Sequence, residues 1–253
     1  MAYKEIVIET MDDLFKVLNE IREQKGTEHP VWYRGQLNSN WELIPSIHRS
    51  SLINKERYLV NDFYIKVKQI QDNTPNKENY AAWMSLMQHY GLPTRILDWS
   101  ESPVISLFFA TEDNANTSAY DACLWVLLPR MLNVMENFGE YVYPMDSYSS
   151  QRLIIQAFKD VEIEEMFQNK ILACHSVEKD LRMYTQRSSF TIHNTQRKLI
   201  DICTSDMLYK IIIPSCKKKY FYDCVGLLGI TPSFIYPTME YVSKDIVKRF
   251  GNQ

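Results

Sequence analysis

A guanidinium at the end of a β-strand, with a glycine directly after it, presents a fork of N–H donors beside backbone that can come close to a bound group. Arg34 and Gly35 of "VWYRGQ" (residues 31–36) have that arrangement. A second stretch, "MQHYGLPTRILDWSESPVISLFFAT" (residues 87–111), supplies Gln88, His89, Asp98, Ser100 and Ser102. A strand, a sharp turn and a helix starting at Ser102 and Pro103 would leave backbone N–H groups that favour an anion such as a phosphate, with Arg34 as its counter-charge. His89 falls in the last turn of a helix, where histidine either favours the dipole or grips a substrate or carries a proton. Asp98, flanked by Leu97 and Trp99, should be partly buried and needs a partner, and Arg34, Arg49 or Arg95 could be a purely structural one. An arginine at a strand end is also a common surface ion pair, so a binding and a structural reading of Arg34 stand side by side.

These residues need elements to hold them. Thr10 is an N-cap for an amphipathic helix over residues 11–24, and "HPVWYRG" reads as the strand that carries Arg34. Helices are expected from the mid-fifties to the early seventies and over 80–90, the second stopped by Gly91 and Pro93. "TRILDW" then forms a strand, Ser102 and Pro103 open a helix through "VISLFFAT", and "ACLWVLL" is a buried strand. Residues 130–182 read as a mainly helical, charged insert. "SSFTIH" and "YKIIIP" are strands, and a helical tail follows that Pro237 should break or restart. The order is α+β in a single domain over residues 1–253. The strands ending in Arg34 and Asp98 are expected to lie close in one sheet, so that Arg34, Gln88 or His89, and Asp98 converge on one cleft.

Composition narrows the function classes. A chain of 253 residues, 45% hydrophobic and 13% aromatic, can bury a substantial core, and its net charge of −3 gives no bulk attraction for nucleic acid or anionic lipid. A nucleic-acid partner is therefore not indicated, and the basic run "CKKKYFYD" is a solvated face. Five cysteines without C-x-x-C spacing suit a reducing compartment, no metal cluster is visible, and the apolar runs are shorter than a membrane span. The expected setting is soluble and cytoplasmic. Cys174 and His175 look like a nucleophile and base only by adjacency, because helical neighbours point apart. Trp83 and Met87 read as core, and Asn116-Thr117-Ser118 as a chance glycosylation triplet.

The motifs "YRGQ", "LIPSIHR" and "MQHYGLPTRILDWSESPVISLFFA", with "SSFTIH" and "LYKIIIP" beyond, resemble the FRG domain from about residue 26 to the C-terminal helices. "QHYGLPTRILDW" is the specific part. A looser likeness is to ADP-ribosyltransferases of the arginine-serine-glutamate type. Tyr33-Arg34-Gly35 is similar to their NAD-gripping strand, and Asp98-Trp99-Ser100 with Ser102-Pro103 and Phe109-Ala110 to their second element, but Gln186 stands where their glutamate would. The sheet implied is mixed, mostly antiparallel and of transferase-like order, with flanking helices. The likeness implies NAD as substrate, contacts from Arg34, Gly35, Gln36, Gln88, Ser100 and Ser102, and catalytic roles for Gln186, Asp98 and His89. It also implies an NAD-cleaving or ADP-ribosylating effector in bacterial toxin action or phage defence, with a macromolecular acceptor of unknown kind. An amide cannot offset the charge of an oxocarbenium-like transition state, so the activity is weak, or another acid such as Asp98 or Glu101 serves, or the protein is a non-catalytic module that binds a nucleotide or ADP-ribose-like ligand. Gln186, Ser188, Phe190 and Ile192 are expected to share one strand face.

Overall fold

Local signals in the chain set most of the element boundaries. The computed structural model describes residues 3–26, 29–112, 119–177 and 180–251, so the Asn116-Thr117-Ser118 triplet lies outside the described residues. Thr10 and Asp13 form a reciprocal capping box at the start of α1 (Met11–Lys25). Short α2 (Ser46–Arg49) precedes α3 (Glu56–Ile70) and α4 (Tyr80–His89), and the Asn79 side chain caps α4. Ser102 caps α5 (Pro103–Thr111), which starts on proline. Then come α6 (Pro129–Met135), α7 (Tyr148–Ile154), α8 (Leu181–Thr185) and α9 (Leu199–Ile202). The tail is α10 (Lys218–Leu227), α11 (Pro232–Ile235) and α12 (Met239–Gly251), and Pro237 lies in the break between the last two.

The strands are β1 (Lys4–Val7), β2 (Trp32–Gln36), β3 (Ile96–Ser100), β4 (Ala122–Leu127), β5 (Tyr143–Pro144), β6 (Ile171–His175), β7 (Ser188–His193) and β8 (Leu208–Ile213). They form one sheet in the order β1-β8-β4-β2-β3-β7-β6-β5. Pairing is antiparallel except at the two edges, where β1 joins β8 and β5 joins β6 in parallel. The architecture is α+β with a mixed, mostly antiparallel sheet. Every residue of β4 is buried, so both faces of the sheet centre are covered. Trp32 and Phe108 anchor one apolar cluster and Trp83 and Phe190 another; truncating any one to alanine would cost about 3–5 kcal/mol.

Two readings of the chain need correction. The segment expected to be a helical insert, 130–182, holds α6 and α7 but also contributes β5 and the buried strand β6, which pairs along its length with β7. "ILACH" is continuously apolar up to its last residue, without alternation, and periodicity alone cannot separate such a run from a helix. Cys174 and His175 do point apart, because neighbours on a strand face opposite sides of the sheet. Gln186 does not share a strand face with Ser188. It is the C-cap of α8, and Arg187, at φ 48°, turns the chain before β7 begins. β1 was missed altogether, being four residues long and mostly exposed at an edge.

Candidate functional site

β2 and β3 part company. Whereas β2 pairs with β4 at every one of its positions, its only register pair with β3 is Tyr33 with Ser100. Arg34 spans the gap that opens: its Nη1 donates to the Asp98 carbonyl oxygen at 2.6 Å and lies 3.7 Å from Asp98 Oδ2. The Arg34 Nε is buried and has no hydrogen-bond partner. Burial works against the Arg34 charge, and the Asp98 carboxylate supports it. Gly35 serves packing, since a Cβ there would stand 1.9 Å from the Ser106 carbonyl oxygen of α5. Its backbone approach fixes α5 directly against the strand that carries Arg34.

α4 delivers the next two side chains. It ends at His89, and Gly91, at φ 80°, reverses the chain so that it returns as β3. Gln88 Nε2 donates to Asp98 Oδ2 at 2.6 Å, while Gln88 Oε1 accepts from the Thr94 hydroxyl. Gln88 is therefore held at both ends of its amide and orients Asp98. His89 Nδ1 lies 3.5 Å from Asp180 Oδ2, the carboxylate that caps α8.

A cleft of about 420 Å³ occupies this gap. Its lining includes Arg34, Gly35, Gln36, Gln88, His89 and Asp98, together with Ser100 and Gln186. Several are committed to the fold: Gln36 Oε1 accepts from Trp125 Nε1 at 2.8 Å, and Ser100 Oγ donates to the Gln186 carbonyl at 2.7 Å. Gln186 Nε2 donates to the Ile235 carbonyl at 3.1 Å, which ties α8 to α11. Ser102 is not brought to the cleft; its hydroxyl accepts from Ile105 N–H at the start of α5, and its own N–H donates to Ser100 Oγ. Arg95 faces elsewhere and binds Glu56. Glu101 also stands outside, paired with His175 Nδ1 at 2.9 Å, which holds its carboxyl below the usual range against the cost of burial.

Sequence reasoning missed part of the wall. Trp41, Arg49, Glu112, Arg182 and Tyr236 also line the cleft. Arg49, expected only as a structural partner of Asp98, is exposed, and its side chain makes no hydrogen bond or ion pair among the described residues. The Arg182 guanidinium lies 5.2 Å from the centre of the Tyr236 ring, and the Tyr236 hydroxyl donates to Glu112 Oε2 at 3.3 Å. These contacts join chain segments far apart, and no local motif announces them. Three guanidinium groups beside aromatic walls suit a ligand that combines anionic groups with a planar one. Among the described residues no group of three His, Cys, Asp or Glu side chains is placed to hold a metal ion, and no helix is long and apolar enough to cross a membrane.

No curated protein and no solved structure matches the chain. The family comparison does give a match, to the model of the FRG domain, and it covers residues 29–119. That stretch contains β2, α4, β3 and α5, the elements that carry Arg34, Gln88, His89 and Asp98. Over residues 29–119 the chain is similar to the FRG domain.

Proposed function

We propose that the cleft binds NAD or a closely related nucleotide, and that the protein breaks the nicotinamide–ribose bond, releasing ADP-ribose or passing it to an acceptor. The observation that carries the reading is Arg34, a guanidinium set in the parting between β2 and β3, in a cleft it shares with Arg49 and Arg182. A diphosphate supplies acceptors for such donors, and Trp41 at the rim offers a face for a base. The adjacency of β2 and β3 supports the transferase-like reading, since the two resembling segments meet at one cleft, where Gln186 also stands. The cleft volume falls in the ordinary range for small-molecule sites. Action inside bacterial cells, as a toxin or in antiviral defence, is the setting this chemistry suggests.

A second reading, nucleotide binding without cleavage, is favoured by one observation. The amide of Gln186 is held by the Ile235 carbonyl and carries no charge to offset an oxocarbenium-like transition state. Incubating the purified protein with NAD labelled in each half, while following nicotinamide release, label transfer to macromolecules and binding by calorimetry, separates the two. Saturable binding with release supports the first reading, and binding alone supports the second. Absence of binding overturns both.

A further inference from the structure

Asp98 and Glu112 line the cleft, and Glu101 and the α8 cap Asp180 stand beside it; all but Glu112 are committed. Asp98 accepts from Gln88 at 2.6 Å and faces Arg34. Glu101, outside the cleft, is held by His175 at 2.9 Å and Ser189 at 3.2 Å and lies 3.8 Å from Arg187. Glu112 differs. It is the residue that ends α5, it lines the cleft, and among the described residues neither lysine nor arginine forms an ion pair with it. Its carboxylate receives the Tyr236 hydroxyl at Oε2, 3.3 Å away, while Oε1 is left uncommitted among the described residues.

We infer that Glu112 is the general base of the cleft, taking the proton of the water or acceptor hydroxyl that attacks the ribose carbon as nicotinamide leaves. The inference rests on the NAD-cleaving reading and adds the residue that Gln186 cannot replace. The bond between the ribose C1′ and the nicotinamide ring nitrogen breaks, and its electron pair stays with neutral nicotinamide. A C1′–O bond forms from the attacking oxygen, whose proton passes to Glu112 and from there to solvent. No electron carrier is needed. Burial raises the Glu112 carboxyl above its ordinary value, and the Tyr236 hydrogen bond opposes the rise, which brings the group closer to the range useful for a base at neutral pH. The other ionisable groups of the cleft are Tyr33 and Arg34 from β2, Arg49 from α2, His89 from α4, Asp98 from β3, Arg182 from α8 and Tyr236 after α11.

The test compares wild type with Glu112→Gln and Tyr236→Phe for NAD binding, for nicotinamide release across pH, and for the melting temperature of the free protein across pH. Glu112→Gln is expected to bind NAD as wild type does and to lose about a hundredfold or more of release. Tyr236→Phe should move the acid limb of release to higher pH, because the hydrogen bond that favoured the carboxylate is gone. The free protein gives an independent reading. A carboxyl raised by folding stabilises the fold when protonated, an advantage complete below its unfolded value and lost as pH rises through the folded one. Glu112→Gln mimics the protonated form, so it should melt above wild type at neutral pH, and the gap should close on acidification. Full release by Glu112→Gln overturns the assignment and leaves NAD cleavage standing. Wild type that binds NAD without releasing nicotinamide overturns the assignment and leaves the binding reading. Wild type that does not bind NAD overturns the assignment together with the reading beneath it.

Discussion

Arg95 and Arg34 stand on neighbouring chain segments of the same sheet, and both guanidinium groups are largely withdrawn from solvent, yet their surroundings differ in kind. Arg95 directs Nε and Nη2 at the Glu56 carboxylate, the closest contact being 2.6 Å, and Nη1 at the Leu153 carbonyl and Asn194 Oδ1. Its donors tie α3, α7 and the end of β7 together. Arg34 makes one close hydrogen bond, to the Asp98 carbonyl, and leaves a buried Nε without a partner. The first arrangement is saturated and belongs to folding. The second is unsaturated, and a buried donor without an acceptor is costly. Residue type is the same in the two cases, with Arg34 inside β2 and Arg95 directly before β3; what separates structure from site is how many acceptors the fold supplies.

The largest expected effect tests the saturated side. Glu56→Ala removes the carboxylate under Arg95 and leaves a buried charge unpaired, which should cost about 3–5 kcal/mol in denaturant unfolding. NAD affinity, measured where the variant is still folded, should stay within about twofold, a difference of some 0.4 kcal/mol. A variant as stable as wild type would remove the contrast between the two arginines.

Arg34→Lys tests the other side. Lysine keeps the charge and loses the fork, so NAD affinity should fall about tenfold or more, equivalent to roughly 1.4 kcal/mol, while the melting temperature barely moves. Equal loss of binding and stability would make Arg34 a second Arg95.

Gln186→Glu sharpens the comparison at the cleft wall. The new carboxylate cannot donate to the Ile235 carbonyl and should cost about 1–3 kcal/mol of stability. Turned into the cleft, it stabilises developing positive charge, and nicotinamide release should rise, each 1.4 kcal/mol of stabilisation giving about tenfold. Unchanged release in Gln186→Ala would show that the side chain at 186 takes no part.

The smallest effect lies behind Arg34. His193 is fully buried, its Nε2 is bonded to the Thr191 hydroxyl at 2.9 Å, and its Nδ1 lacks a partner, as does the Nδ1 of His48. Burial pushes both histidines down, His193 far down, with the Arg34 charge adding to the effect there. The stability tied to these neutral rings is therefore fully present above the unfolded value, about pH 6.5, and lost as pH falls below it, at up to about 1.4 kcal/mol per pH unit for each group. His193→Gln should flatten the fall in melting temperature between about pH 6.5 and 5. An undiminished slope would mean that other groups carry it.

Much of this was legible in residue order and spacing. The Arg34–Gly35 strand, the Gly91 turn and the Ser102–Pro103 helix start each have a local signal, because one glycine, cap or proline decides the geometry within a few residues. The reason for Gly35 was not legible: it answers to the Ser106 carbonyl of a helix some seventy residues onward. β6 was hidden because a short apolar strand and a buried helical turn have the same composition. Glu112, Arg182 and Tyr236 meet only through tertiary packing, so nothing near any one of them in the chain marks it out.

The lone register pair between β2 and β3 has a mechanical consequence. Along the strands the sheet is two leaves, β1-β8-β4-β2 and β3-β7-β6-β5, stitched by Tyr33 and Ser100 and by the Arg34 guanidinium. An occupant of the cleft that touched Arg34 on one leaf and Asp98 on the other would act as a clasp across the spine. Occupancy should then be felt as stiffness far from the cleft, with amide exchange slowing in β4 and β7 together, so that the two leaves open as one unit instead of two.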